Sequence, residues 1–110
     1  MSTIRSSREI DAVFRLGRRA AGPLVTALVA NTPVGRDPRG RVAFVAGKRL
    51  GNAVKRNRAK RLLRSASREA GGPWRGFDVV LMARSPLLDA TSGEVAGAIG
   101  VLMERIGHRP

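Results

Sequence analysis

The sequence predicts an α+β fold in which helices pack on a small sheet, and three observations carry that expectation. Two capping-box patterns, Ser6 with Glu9 and Thr91 with Glu94, each open a segment whose apolar residues recur at helical spacing. Three short apolar runs bounded by Gly, Pro and Asn read as strands. The resulting order is helix, strands, helix, strand, helix, the pattern of an α+β or mixed sandwich. At 110 residues, 43% of them apolar, the chain has material for one domain, residues 1–110, with a modest core.

Taken in order, Ile10, Val13 and Phe14 follow the first cap at helical spacing until Gly17, which gives a short first helix. Leu24–Ala30 is the first strand and Arg41–Gly47 the next, and the two are expected to pair antiparallel. Between them, residues 31–40 hold two Pro, two Gly and an Asp, the composition of a loop. Its arginines, Arg36, Arg39 and the adjoining Arg41, read as solvated turn charge. Asn52 is placed to cap a second helix that runs from Ala53 to Ala70, where Gly71-Gly72-Pro73 stops it. Trp74 is expected to cover the end of that helix. Phe77–Ala83 is continuously apolar, which suits a strand covered on both faces. In the closing helix Val95, Ile99, Leu102, Met103 and Ile106 form one apolar stripe.

Charge narrows the function. Lys plus Arg number 21 against 8 Asp plus Glu, a formal net charge of +13 and a pI near 12.0. Self-repulsion of that size is relieved by a polyanion, so RNA or DNA is the expected partner. Eighteen of the cations are Arg, whose planar fork suits phosphate oxygens and base edges. There is no Cys and a single His, His108, so neither a disulfide framework nor a zinc cluster can form. No stretch approaches the roughly 18 apolar residues of a membrane span. Residues 1–19 alternate charged and apolar residues, unlike a signal peptide, and the expected location is the cytoplasm. The acids are scattered, with no pair at a spacing that argues for a two-metal nuclease.

The second helix concentrates the charge. Winding Val54–Ala70 at 3.6 residues per turn brings Ala59, Leu62, Leu63, Ala66 and Ala70 onto one arc, the face expected to pack on the sheet. Opposite lie Asn57, Arg61, Arg64 and Arg68, flanked by Arg56, Arg58 and Lys60. From Lys48 to Arg68 nine basic residues are uninterrupted by any acid. Like charges at these spacings disfavour an isolated helix by roughly 0.2–0.5 kcal/mol per pair. Solvation alone is a poor reason for the stripe, and a phosphate backbone is a good one.

The segment KRLGNAVKRNRAKRLLRSASRE, Lys48–Glu69, closely resembles the RNR signature of the protein subunit of bacterial ribonuclease P. The likeness includes the basic pair Lys48-Arg49 before Gly51, Gly-Asn-Ala-Val at 51–54, Arg56-Asn57-Arg58, Lys60-Arg61 and Arg64. Phe14 three residues before Gly17 and the strand FDVVLMARSP extend it in outline along the chain. The resemblance implies an α-β-β-β-α-β-α sandwich like a domain of ribosomal protein S5, with the basic helix in a left-handed crossover. It also implies a subunit that pairs with a large catalytic RNA, which with bound Mg²⁺ hydrolyses the phosphodiester releasing the 5′ leader of precursor tRNA. Carried over position by position, Lys48, Arg49, Arg56, Asn57, Arg58, Lys60, Arg61 and Arg64 would lie against the catalytic RNA, and Arg68 shares their stripe by geometry. The Mg²⁺ would be held mainly by RNA, and the chain would supply no catalytic or metal-ligating residue.

A cleft between the first helix and the sheet would receive the leader, with Ile10, Phe14 and Leu28 at the matching positions. Ile10 stands where many members have an aromatic residue, Leu28 is aliphatic too, and the chain has no Tyr. That leaves Phe14 either to stack on a leader base or to pack in the core, while Phe44 and Phe77 read as core. Two other functions stay open at this point. A free-standing protein ribonuclease needs a general base or a metal-carboxylate cluster. A ribosomal or other structured-RNA-binding protein without a nuclease role fits the charge and the fold, and the signature spacing argues against it.

Overall fold

Elements form in the order α1 (Ser7–Leu16), β1 (Arg18–Ala21), β2 (Val25–Asn31), β3 (Arg41–Val45), α2 (Ala53–Glu69), β4 (Phe77–Ala83) and α3 (Ser92–Ile106), with 3₁₀ turns at Lys48–Leu50 and Ser85–Asp89. The structure is a computed structural model and describes residues 7–107; Ser6, with its expected cap, and His108 lie outside them. The order is the α-β-β-β-α-β-α sandwich that the resemblance implied. β1 has the sequence RRAA, too polar and short to read as a strand by its own pattern. It pairs antiparallel with β2 at one edge of the sheet.

The sheet order is β1-β2-β4-β3. The antiparallel pairing expected between β2 and β3 is therefore corrected: β4 lies between them, antiparallel to β2 and parallel to β3. The relative direction of β2 and β3 was right and their adjacency was not. Phe77–Ala83 is the strand that must be covered on both faces, so an interior place suits it, and skipping one strand asks the 31–40 loop to span only about 10 Å. The chain before β4 fills the gap, with Thr32 N–H donating to Gly76 O and Gly76 N–H to Pro38 O. Parallel neighbours need a crossover, and α2 supplies it between β3 and β4.

Each sheet face has its own cover. On one side Val25, Ala27, Val29, Val42, Val79 and Leu81 pack beneath α2 and α3. There the expected stripe Val95, Ile99, Leu102, Met103 and Ile106 is buried throughout. The Thr91–Glu94 capping box that opens α3 is present on both sides. On the other side a smaller cluster of Val13, Leu28, Ala43 and Val80 lies under α1, with Ile10, Val45 and Met82 packed at its margin. α1 ends against β2 at Gly17, where a Cβ would stand 2.4 Å from Val13 O and 3.1 Å from Val29 O. Only glycine lets the helix end come so close to the strand. Trp74 is buried at the end of α2, as expected.

Candidate nucleic-acid interface

α2 owes its exposure to its sequence. Asn52 Oδ1 accepts from Lys55 N–H at 3.0 Å and caps the first turn. Ala59, Leu63 and Ala66 are fully buried, with Leu62 and Ala70 packed at the edge of the same core. Ser67 is buried beside them, a polar position the pattern did not reveal. The opposite face turns Asn57, Arg58, Lys60, Arg61, Arg64 and Arg68 to solvent. Among the described residues every ion pair uses Arg36, Arg39 or Arg41, so no acid neutralises any cation of this face.

Two of the basic residues are fixed before any ligand arrives. Arg56, half-buried, donates Nε to Ala46 O at 3.3 Å. The Arg64 guanidinium lies 5.5 Å from the centroid of the Phe44 ring, a cation–π contact that holds it at the edge of the sheet. Asn57, Lys60, Arg61 and Arg64 border a shallow depression of about 480 Å³. Its cations suit an anionic backbone, with Arg64 already held by the ring, and Asn57 adds an amide that can both donate and accept.

Lys48 and Arg49 sit on the 3₁₀ turn between β3 and α2, anchored by the buried Leu50. Gly51 then turns the chain at φ 119°, a conformation that favours glycine. The turn places the pair on the rim of a second feature, an open cleft of about 750 Å³ on the α1 side of the sheet. Strand register puts Thr26, Val45 and Met82 on one face, and they form its floor. Arg19, Lys48, Arg49 and Arg84 rim it.

The cleft exists because α1 covers only part of its sheet face. With Val13 pointing down, helical geometry puts Glu9, Ala12 and Leu16 on one flank and Ile10 and Phe14 on the other. The first flank borders Ala30, Arg36 and Asp78, at the end where β3 and β4 begin. The Ile10–Phe14 flank therefore faces the cleft end. Phe14 is 43% exposed, so it is not the core residue it could have been. Ile10 is half-buried, and Leu28 is 4% exposed beneath α1. None of the three positions assigned to the cleft is among the residues that line it: Leu28 lies buried beneath α1, Ile10 is half-buried, and Phe14 presents its ring from the flank of α1 beside it.

The structure also brings together residues that looked unrelated. Arg36, expected as solvated turn charge, pairs with both Glu9 of α1 and the buried Asp78 of β4. Arg41 pairs with Glu9 and lies 3.9 Å from Asp78. Only Arg39 is the exposed turn cation the sequence suggested; it holds Asp37 at 2.6 Å, and its hydrogen bonds keep the Asp37 carboxyl below the usual range. No spacing rule could have found the cluster, because it depends on the β3–β4 register that sets Arg41 beside Asp78. The cluster ties α1 to the sheet on the flank opposite the cleft.

Among the described residues no group of three or more His, Asp or Glu could hold a metal ion, and Glu9 and Asp78 are both engaged by arginines. No helix among them is long and apolar enough to cross a membrane.

Known proteins resemble this chain in both sequence and fold. The sequence profile of the family described as Ribonuclease P matches residues 1–107. The ribonuclease P protein component of Shouchella clausii is 37% identical over 103 residues, 93% of this chain and 83% of that protein. The fold matches the RNase P protein of Staphylococcus aureus at a TM-score of 0.81, with 20% identity over 97% of this chain and 96% of that one. It matches that of Thermotoga maritima at 0.79, with 25% identity over 98% and 100%.

Proposed function

The chain belongs to the ribonuclease P protein family, and from that premise we propose that it binds the catalytic RNA through α2 and the 5′ leader of precursor tRNA through the cleft. Family membership makes it the protein component of a ribonucleoprotein that cleaves RNA. The observation that carries the finer reading is the unneutralised stripe of α2 joined, through Lys48 and Arg49, to a cleft of different character.

The two surfaces suit two ligands. The stripe is a shallow, open helix face dense in guanidinium, which fits the backbone of a structured RNA. The cleft has a largely apolar floor and a cationic rim, with the exposed Phe14 ring on the neighbouring flank of α1, which fits a single strand whose bases lie inward and whose phosphates follow the rim. Holding the leader there while α2 holds the catalytic RNA fixes the scissile bond relative to that RNA, so the protein's contribution is positioning. Mg²⁺ supplies charge neutralisation and an activated water in metal-assisted phosphodiester hydrolysis. Among the described residues no acidic cluster fits the ion; in this reading the RNA holds it, and this chain carries out no chemical step. The same reading places the protein in the cytoplasm with its RNA.

Because the chain has no Cys, single cysteines provide a direct test. A photocrosslinker on Lys60→Cys is expected to capture the catalytic RNA, and one on Phe14→Cys the leader. Crosslinks from Phe14→Cys that fall on the catalytic RNA alone would remove the cleft from the proposal.

A further inference from the structure

Three further arginines are held in place without an acid. Arg84, the residue after β4, donates Nη1 to Gly22 O at 2.8 Å, and its own N–H bonds Leu24 O at 2.9 Å. Arg105, in the last turn of α3, donates to Ala21 O at 3.4 Å. Arg18 of β1 donates to Ile106 O at 2.7 Å. None of the three belongs to an ion pair among the described residues.

The carbonyls place these cations together. Ala21 and Gly22 are consecutive, with Cα atoms about 3.8 Å apart, so Arg84 and Arg105 converge on one turn. They arrive from opposite faces: Arg84 from the cleft, whose rim it forms, and Arg105 from the α3 layer. Arg18 lies on β1, linked to the end of the same helix. A carbonyl occupies one of a guanidinium's five donors and leaves its charge intact. All three residues are exposed. Protection of an edge strand from pairing would account for Arg18. It does not account for Arg84 or Arg105, which are not on that strand.

We propose that the β1 edge is a phosphate track continuing the cleft, along which RNA backbone leaving at Arg84 passes round the β1–β2 turn onto Arg105 and Arg18. Its ligand is the phosphodiester backbone of leader nucleotides farther from the cleavage site than those in the cleft. The inference rests on the cleft reading above. The catalytic RNA carries the same phosphates, and the test separates the two sources.

The test uses assembled holoenzyme with the wild-type protein and with Arg18→Gln/Arg105→Gln, since Gln stays polar and loses the charge. Affinity is measured for mature tRNA and for precursors with leaders of about 4 and about 12 nucleotides, lengths within the range of single-strand site sizes. The double variant is expected to bind mature tRNA and the short-leader precursor as the wild type does. It should bind the long-leader precursor severalfold more weakly, with a salt slope lower by roughly one per arginine. The charge-retaining Arg18→Lys/Arg105→Lys variant is expected to restore most of the loss; no restoration, or no loss with Gln, overturns the track. Equal loss for all three ligands, or weaker binding to the catalytic RNA alone, assigns the arginines to that RNA or to the fold and also overturns it. The cleft reading fails separately, if wild-type holoenzyme binds the short-leader precursor no better than mature tRNA.

Discussion

Asn57, Arg61 and Arg64 share one helical face, yet their side chains predict three different responses. Arg61→Ala should weaken binding to the catalytic RNA and lower the salt slope by roughly one, at no cost in stability. Arg64→Ala should do the same and also cost about 0.5–1 kcal/mol, because it removes the contact with the Phe44 ring. Asn57→Ala should lower affinity and leave the slope unchanged, since no charge is lost. Binding isotherms over a salt series, with thermal melts of the free protein, separate these outcomes, and equal slope changes for all three would refute the role given to Asn57. Phe14→Ala is the corresponding variant beside the cleft. At 43% exposure the ring contributes little to folding, so the variant should melt like the wild type while losing affinity for leader-bearing precursor and not for mature tRNA. One stacked base is worth about 1–3 kcal/mol. Loss of folding, or equal loss for both tRNA forms, would return Phe14 to the core.

Helices here depend on caps and ties as much as on packing. Asn52→Ala removes the side chain that accepts from Lys55 N–H and should destabilise the protein by about 1 kcal/mol, measured by denaturant titration. In α3 the Glu94 carboxylate accepts from Thr91 N–H, and that hydrogen bond holds its pKa below the usual carboxylate value. A carboxyl depressed in the folded state contributes stability that is present above its unfolded pKa and lost as pH falls through the folded one. The stability difference between wild type and Glu94→Gln should therefore shrink from neutral pH towards acid; a difference independent of pH would show that the charge is immaterial. α1 depends on Arg36, which bridges Glu9 to the buried Asp78. Asp78→Ala leaves that guanidinium with Glu9 alone and should cost less than the roughly 3–5 kcal/mol of an unpaired buried charge, because Arg36 keeps one partner and 30% of its side chain exposed. α2 and its face were legible in the sequence, because one period of apolar residues and one cap determine them. The Arg36 cluster was not, because its partners meet only through strand order.

For the whole molecule, a formal charge of +13 on 110 residues means that repulsion opposes folding until anions gather. Sulfate should raise the melting midpoint above that in chloride at matched ionic strength, by up to about 2.7 kcal/mol of stability at a hundredfold excess over Kd; equal midpoints would leave screening as the sole effect. A nucleic-acid partner was legible from the same charge, and the family from the resemblance of Lys48–Glu69, because neither depends on any detail of strand pairing. The cleft was legible only in part. Phe14 was placed by its distance from Gly17, whereas Leu28 sits under α1 because β2 faces Val13, a matter of register. β1 went unread by its own pattern for a related reason: RRAA gains its strand conformation from β2 rather than from its own residues. In the proposed function this protein positions RNA for a reaction whose chemistry lies in an RNA partner. The most direct measurement mixes purified protein, a bacterial ribonuclease P RNA and end-labelled precursor tRNA at a Mg²⁺ concentration too low for the RNA alone. Release of the 5′ leader only when protein and RNA are both present is the predicted result, and release by repurified, nuclease-treated protein without RNA would contradict it.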